Sequence, residues 1–185
     1  YVPSGYEEVT SFLKSKNIPL HLSVFMDASS SVAELLASES GRAQAVEQIM
    51  NELTVSYKTV GENPYSGVTI DFEGLRSASR EDFNAFLKAL SSQVKAAGKT
   101  LYVCVSPVLY TGSYYDGYDY RTIGSLADKV ILMAYDYDTQ DLSDYVGTEY
   151  YKTAAPAPID QVWASLQAIA DPVSGVSDLS KVALG

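Results

Sequence analysis

Residues 66–76 read Ser-Gly-Val-Thr-Ile-Asp-Phe-Glu-Gly-Leu-Arg, and the segment GVTIDFEG inside them governs how the rest of the chain is read. A β-rich run ends abruptly in two carboxylates, Asp71 and Glu73, spaced two apart, so a regular strand points both at one face. Two like charges on one strand face at the end of an apolar run raise the pKa of at least one of them. A carboxylic acid is kept protonated for general-acid work near neutral pH in that way. The spacing alone leaves a second reading open, in which both carboxylates lie on a solvated strand tip.

Outward from this strand, helical and extended patterns alternate, which argues for a parallel α/β architecture. Upstream, Tyr6, Val9, Phe12 and Leu13 recur at helical spacing until Asn17 and Pro19 end the pattern, and LHLSVFMD (20–27) reads as a buried strand. Ser40 is a candidate cap for a helix whose apolar stripe runs Val46, Ile49, Met50, Leu53 and Tyr57. Downstream, the periodicity predicts a helix over 80–97. Ser79 with Asp82 resembles a capping box, Phe83, Phe86, Leu87, Leu90 and Val94 form its core face, and Gly98 closes it. LYVCVSP (101–107) is the following strand, with Cys104 as a buried core residue and Pro107 at the strand end. A short helical stretch around Ile123 to Ala127 leads into a strand KVILMAYDY (129–137). A last helix over 159–170 starts after Pro158 and turns Ile159, Val162, Trp163, Leu166 and Ile169 inward.

At 185 residues the chain can bury one sizeable core. Thirteen Lys and Arg against 23 Asp and Glu give a formal charge of −10, which disfavours nucleic acid and anionic membrane surfaces, because both bind through basic patches. A neutral polymer remains compatible. The single cysteine excludes an intramolecular disulfide and a cysteine-based metal site, and the single histidine, His21, argues against a histidine dyad or metal site. No apolar stretch is long enough to span a bilayer, and no signal peptide stands at Tyr1. Nothing in the sequence indicates an oligomeric state.

Three separately placed motifs resemble those of glycoside hydrolase family 18. GVTIDFE resembles the end of the family's strand-four signature D-x-x-D-x-D-x-E, KVILMAYDYD (129–138) its strand-six motif M-x-Y-D, and KVALG (181–185) the start of its strand seven. The branch most similar is that of spore-germination and cortex-lytic N-acetylglucosaminidases, where the catalytic strand often reads IDFE. The resemblance implies a (β/α)8 barrel. A complete barrel takes about 250 residues, with about 200 as a lower bound, so the expectation is a partial TIM barrel covering roughly strands three to seven. Residues 1–185 would then be an incomplete catalytic domain and a fragment of a longer chain.

The same resemblance implies a glycosidase acting on peptidoglycan or chitin, outside the cell, in the cell wall or spore envelope. Glu73 is the implied general acid. Asp71 orients the substrate's acetamido group, whose own oxygen is the nucleophile, and Tyr135 donates a hydrogen bond to it. Met133 supplies apolar floor beside Tyr135, Asp136 contacts the sugar, and the mechanism needs neither metal nor organic cofactor. The sequence departs from the pattern at Ser66 and Thr69, where the family has its first and middle acidic positions. Thr69 shares the parity of Asp71 and Glu73 and is expected to face the site and hydrogen-bond Asp71, but it carries no charge. Ser66 is out of phase with the other three. Ten of the fifteen tyrosines fall between Tyr110 and Tyr151, in two long loops and the strand between them. They suit sugar subsites, with Tyr114 and Tyr118 as examples, or pack the loops together. Two alternatives accompany this reading. One is a lectin-like, non-catalytic glycan-binding module, favoured by Ser66 and Thr69. The other is an unrelated carboxylate enzyme on an open α/β sheet.

Overall fold

Alternation along each strand sorts side chains into two sets, and the apolar set is covered by helices. The computed structural model describes residues 5–27, 31–55, 63–108, 116–137, 146–148 and 157–185. Its elements run α1 (Tyr6–Ser15), β1 (His21–Met26), α2 (Val32–Ala37), α3 (Glu39–Thr54), β2 (Gly67–Phe72), α4 (Arg80–Ala96), β3 (Thr100–Val105), α5 (Tyr120–Leu126), β4 (Lys129–Leu132), α6 (Ile159–Ile169) and β5 (Val182–Leu184). All four neighbouring strand pairs are parallel, in the order β1-β2-β3-β4-β5. A doubly wound sheet reverses its order at a switch point, whereas a barrel adds each strand beside the last. The sheet is therefore an arc of a (β/α)8 barrel, a partial barrel of five consecutive strands.

The outer face carries Val68, Ile70 and Phe72 from β2, Leu101, Val103 and Val105 from β3, and Val130 and Leu132 from β4, all buried. They share one core with residues of α2 to α6. Helix α4 contributes Phe83, Phe86, Leu87, Leu90 and Val94, each fully buried. Phe72 stacks on Phe86 with ring centroids 5.4 Å apart. Each such ring contributes about 1.5–3 kcal/mol by leaving water, so the residue between Asp71 and Glu73 is among the most firmly held in the fold. The inner face receives the opposite parity: His21, Ser23 and Phe25, then Gly67, Thr69 and Asp71, then Thr100, Tyr102 and Cys104, with Phe25 level with Asp71. Gly67 is required where it stands, because a Cβ there would lie 2.3 Å from the Thr100 carbonyl oxygen and 2.7 Å from Nε2 of His21.

Several local expectations change. Helix α3 is capped by Ser38, whose hydroxyl accepts from the Gly41 amide at 3.1 Å, because Ser40 already lies inside the helix. Tyr57 of its expected stripe lies outside the described residues. Ser79 ends a 3₁₀ turn with helical dihedrals, so its side chain makes no cap, and Asp82 accepts from Arg42 at 2.9 Å instead. Gly98 does close α4, at φ +68°. Helix α1 buries none of its residues. On α6, Val162, Ser165 and Ile169 face the core, while Ile159 is 81% exposed and Trp163 60%. The small Ser165 occupies the buried face where a tryptophan was expected beside it. Strand β4 stops at Leu132, five residues short of the expected Tyr137: the Ala134 amide turns back to the Leu132 carbonyl, and Asp136 is left-handed at φ +53°.

Candidate active site

The C-terminal ends of β1, β2, β3 and β4 build the site. Asp71 is the last inner-face residue of β2. Beyond the strand, the Glu73 amide donates to the Met26 carbonyl at 2.7 Å, which carries the pairing with β1 one step further and keeps Glu73 in phase with Asp71. Gly74, at φ +69°, then turns the chain away, a conformation that costs a residue without Cβ little.

Electrostatically the two carboxylates behave as the parity argument requires. Burial pushes the Glu73 pKa up, and the charges of Asp71, Asp27 and Asp136 push it further in the same direction. Burial also raises Asp71, against a smaller opposing effect from a hydrogen bond with the Cys104 side chain. Oδ1 of Asp71 is buried with no hydrogen-bond partner among the described residues. The Tyr135 hydroxyl is raised by burial first and then by Asp71, Cys104, Glu73 and Asp136, so it stands within the field of the same groups. Its residue is 43% exposed, with its ring 3.6 Å from where a Cβ on Gly185 would lie. Met133 is buried, and its amide donates to the Val105 carbonyl at 3.0 Å, docking the end of β4 onto β3. Tyr135 and Met133 lie past the end of the regular strand, so strand parity does not set their directions: Met133 is buried and Tyr135 exposed.

Thr69 sits lower on the same face and is otherwise engaged. Its Oγ1 lies 3.2 Å from Nδ1 of His21, whose Nε2 lies 2.9 Å from Oγ1 of Thr100 and whose ring packs 4.1 Å from that of Tyr102. The expected bond from Thr69 to Asp71 is thus replaced by one to an imidazole whose pKa is lowered by burial. Ser66, before the strand, donates through its hydroxyl to the Leu20 carbonyl at 3.0 Å, a structural bond between β1 and β2.

The tyrosines divide. Tyr118 is buried, with its hydroxyl donating to the Phe72 carbonyl at 2.5 Å, so of the two readings for the loop tyrosines this residue follows the packing one. Tyr120 is buried against the Ser106 carbonyl at 2.6 Å, and Tyr137 against Ser165 at 2.9 Å. Tyr114 lies outside the described residues. Two groups escaped sequence reasoning. Cys104 is buried, as its apolar run predicts, but it lies on the inner face with the carboxylates, a placement signalled by its parity with Thr100 and Tyr102. Asp27, which bears on Glu73, directly follows β1, the strand neighbouring β2.

A carboxyl whose pKa is raised by burial and by neighbouring carboxylates, beside a second carboxyl and a phenol, is suited to donate a proton to a leaving group while its neighbours steady developing positive charge. Among the described residues no group of three or more His, Cys, Asp or Glu side chains is placed to hold a metal ion.

The model of the glycosyl hydrolases family 18 matches residues 5–185. YdhD of Bacillus subtilis (strain 168), a sporulation-specific glycosylase by name, is 33% identical over 111 residues, covering 55% of this chain and 26% of YdhD. Chitinase from Chromobacterium violaceum superposes with a TM-score of 0.72 at 24% identity over 99% of this chain and 53% of its own. The spore cortex-lytic enzyme SleL of Bacillus megaterium does so with a TM-score of 0.69 at 22% identity, over 96% of this chain and 38% of SleL. The chain thus spans about half or less of the length of the proteins it matches.

Proposed function

The chain belongs to the glycosyl hydrolases of family 18, and on that footing we propose that it carries the catalytic half of a glycosidase that cleaves N-acetylglucosamine-containing glycans with retention, by substrate-assisted catalysis. Glu73 protonates the glycosidic oxygen as the bond to the anomeric carbon breaks. The carbonyl oxygen of the substrate's 2-acetamido group attacks that carbon and forms a cyclic oxazolinium intermediate. Asp71 accepts from the acetamido N–H and balances the positive charge, and Tyr135 donates to the acetamido oxygen. Glu73, now ionised, takes a proton from water as the water opens the intermediate, and the acid is regenerated. Met133 gives the sugar an apolar floor, and Asp136 meets its hydroxyls. The chemistry uses no metal and no organic cofactor.

The observation that carries this reading is the raised pKa of Glu73, half-buried within the field of Asp71, Asp27 and Asp136, because only a protonated carboxyl can serve as the acid. Relatives named for sporulation and for spore-cortex lysis favour peptidoglycan of the cell wall or spore envelope over chitin. The formal charge of −10 suits a neutral polymer and disfavours nucleic acid, and no helix among the described residues is long and apolar enough to cross a membrane.

Glu73→Gln in the full chain tests the acid. It keeps the shape of the side chain and removes the proton, so glycan binding survives and hydrolysis falls by roughly 10² or more. Equal rates for variant and wild type would exclude Glu73. A second reading, a glycan-binding module without turnover, is favoured by one observation: the Thr69 hydroxyl is spent on His21, so no second proton-sharing group lies beneath Asp71. Wild-type protein that binds peptidoglycan or chitin oligomers and never cleaves them would support it.

A further inference from the structure

We propose that Phe25 is a specificity residue of the site: its ring is the wall against which the methyl of the substrate's 2-acetamido group rests, so the site is sized for N-acetyl and closed to longer N-acyl groups. The inference rests on the roles proposed above for Asp71 and Tyr135.

Strand register places the ring. Phe25 stands opposite Asp71 in the parallel β1–β2 ladder, with Ser23 opposite Thr69 one pair below. Val24 and Met26, its neighbours in sequence, pack against the helix-covered core, so alternation turns Phe25 to the inner face beside Asp71. The Glu73 amide, bonded to the Met26 carbonyl at 2.7 Å, carries the same pairing past Phe25. The inward positions of these two strand ends are thus His21, Ser23 and Phe25 beside Gly67, Thr69, Asp71 and Glu73, and Phe25 is the one large apolar side chain among them. It is 55% exposed there, next to the carboxylate that would hold the substrate.

Amide geometry places the methyl. A secondary amide is planar and trans, so its oxygen and its N–H point in opposite directions and its methyl lies on the same side of the C–N bond as the N–H. With the N–H accepted by Asp71 and the oxygen turned to Tyr135, the methyl lies at the Asp71 end, away from Tyr135. Asp71 has two strands beside it, β1 and β3. Tyr135 follows β4, beyond β3, which leaves the β1 side, and Phe25, for the methyl. A methyl laid on an aromatic ring leaves water favourably, whereas an ammonium or hydroxyl at the same carbon loses hydration there. A further methylene on the acyl group must displace the ring, and overpacking of that kind is unfavourable.

Glucosamine oligomers carrying N-acetyl or N-propionyl groups separate a wall from a scaffold. The full chain should cleave the N-acetyl oligomers faster. Phe25→Ala should raise the ratio of kcat/KM for N-propionyl over N-acetyl by about tenfold, while Phe25→Tyr, which keeps the ring, should hold the wild-type ratio. A Phe25→Ala protein that melts like wild type and keeps its ratio overturns the proposal. The contact is also read without turnover, in Glu73→Gln with 4-fluorophenylalanine in place of Phe25. The acetamido methyl protons of a bound N-acetyl oligomer should then give a nuclear Overhauser effect to the ring fluorine, and a saturated complex without it overturns the proposal as well. If wild-type protein cleaves no oligomer while that effect is present, the glycosidase reading has failed and the contact stands. Protein that neither binds nor cleaves these oligomers overturns both.

Discussion

The hydroxyl of Tyr118 donates to the backbone carbonyl of Phe72 at 2.5 Å, the one residue between Asp71 and Glu73. The loop that carries Tyr118 is pressed onto the turn after β2. A Cβ on Gly117 would lie 2.6 Å from the Leu75 carbonyl carbon, and Asp116 accepts from the Ser77 amide at 2.6 Å. Tyr118→Phe keeps the edge-on packing against Phe83 and leaves a buried carbonyl unpaired. It should destabilise the chain by about 1–2 kcal/mol and lower kcat more than it alters KM, because the backbone between the two carboxylates loosens. Urea unfolding that matches wild type would show that the bond holds nothing in place.

The raised pKa of Glu73 has a sign that a stability measurement can check. Its folded pKa lies above its unfolded one, so the native state binds more protons than the unfolded state between the two values. Stability therefore falls as pH rises through that window, and the full penalty is present above it. Glu73→Gln should melt higher than wild type at neutral pH, with the gap closing as pH falls to about 4, where the unfolded carboxyl is also protonated. His21, whose folded pKa is lowered, works in the opposite sense in both proteins and cancels in the comparison. A Gln variant less stable than wild type at pH 7 would mean that the carboxylate is a stabilising partner and not a strained acid.

Ser165 is small, fully buried and central to how α6 docks. It accepts from Tyr137 at 2.9 Å and donates to the Val108 carbonyl at 3.1 Å, joining the segments that follow β3 and β4. Ser165→Ala strands a buried phenol and a carbonyl and should cost about 1–3 kcal/mol. Trp163→Ala, on the exposed side of the same helix, should change stability by no more than about 0.5 kcal/mol. Chemical denaturation of the two variants side by side tests the assignment, and the reverse order of costs would refute it.

That pair of residues also marks where sequence reading stopped. Strand parity located Asp71, Thr69 and the outer-face apolar residues, because a period of two admits only two faces and one must be dry. The α4 stripe was equally legible, since five large apolar residues at helical spacing have one way to be buried. On α6 the apolar residues occupy more than one stripe, and hydrophobicity does not say that a serine will be the residue packed innermost. Met133 and Tyr135 were assigned by strand parity to a strand that ends before them. The turn there depends on a γ-type bond and a left-handed Asp136, neither of which has a sequence signature. Composition leaves Tyr118 open between sugar contact and loop packing, and the Phe72 carbonyl, which supplies its hydroxyl with a buried acceptor, decides for packing. Cys104 is buried as its type predicts, while its parity adds that it lies on the inner face with the site.

The bond between Thr69 and His21 decides what Thr69→Asp would do. The substitution restores the carboxylate that the family carries at its middle position, but it does so 3.2 Å or so from an imidazole nitrogen. In the wild type, burial holds the His21 pKa below 6.5, and the ring is neutral through most of the physiological range. An anion at position 69 reverses that balance, since an opposite charge within about 4–6 Å favours the charged form. His21 should then titrate above its ordinary value. The chain's one histidine makes the shift directly readable from its imidazole proton resonances across pH. A carboxylate paired with an imidazolium has little affinity for the proton it would have to share with Asp71, so Thr69→Asp alone should leave turnover at or below the wild-type rate. A His21 pKa that stays below 6.5 in Thr69→Asp, together with faster hydrolysis, would show that the new carboxylate turns to Asp71 and that the threonine had been limiting the reaction.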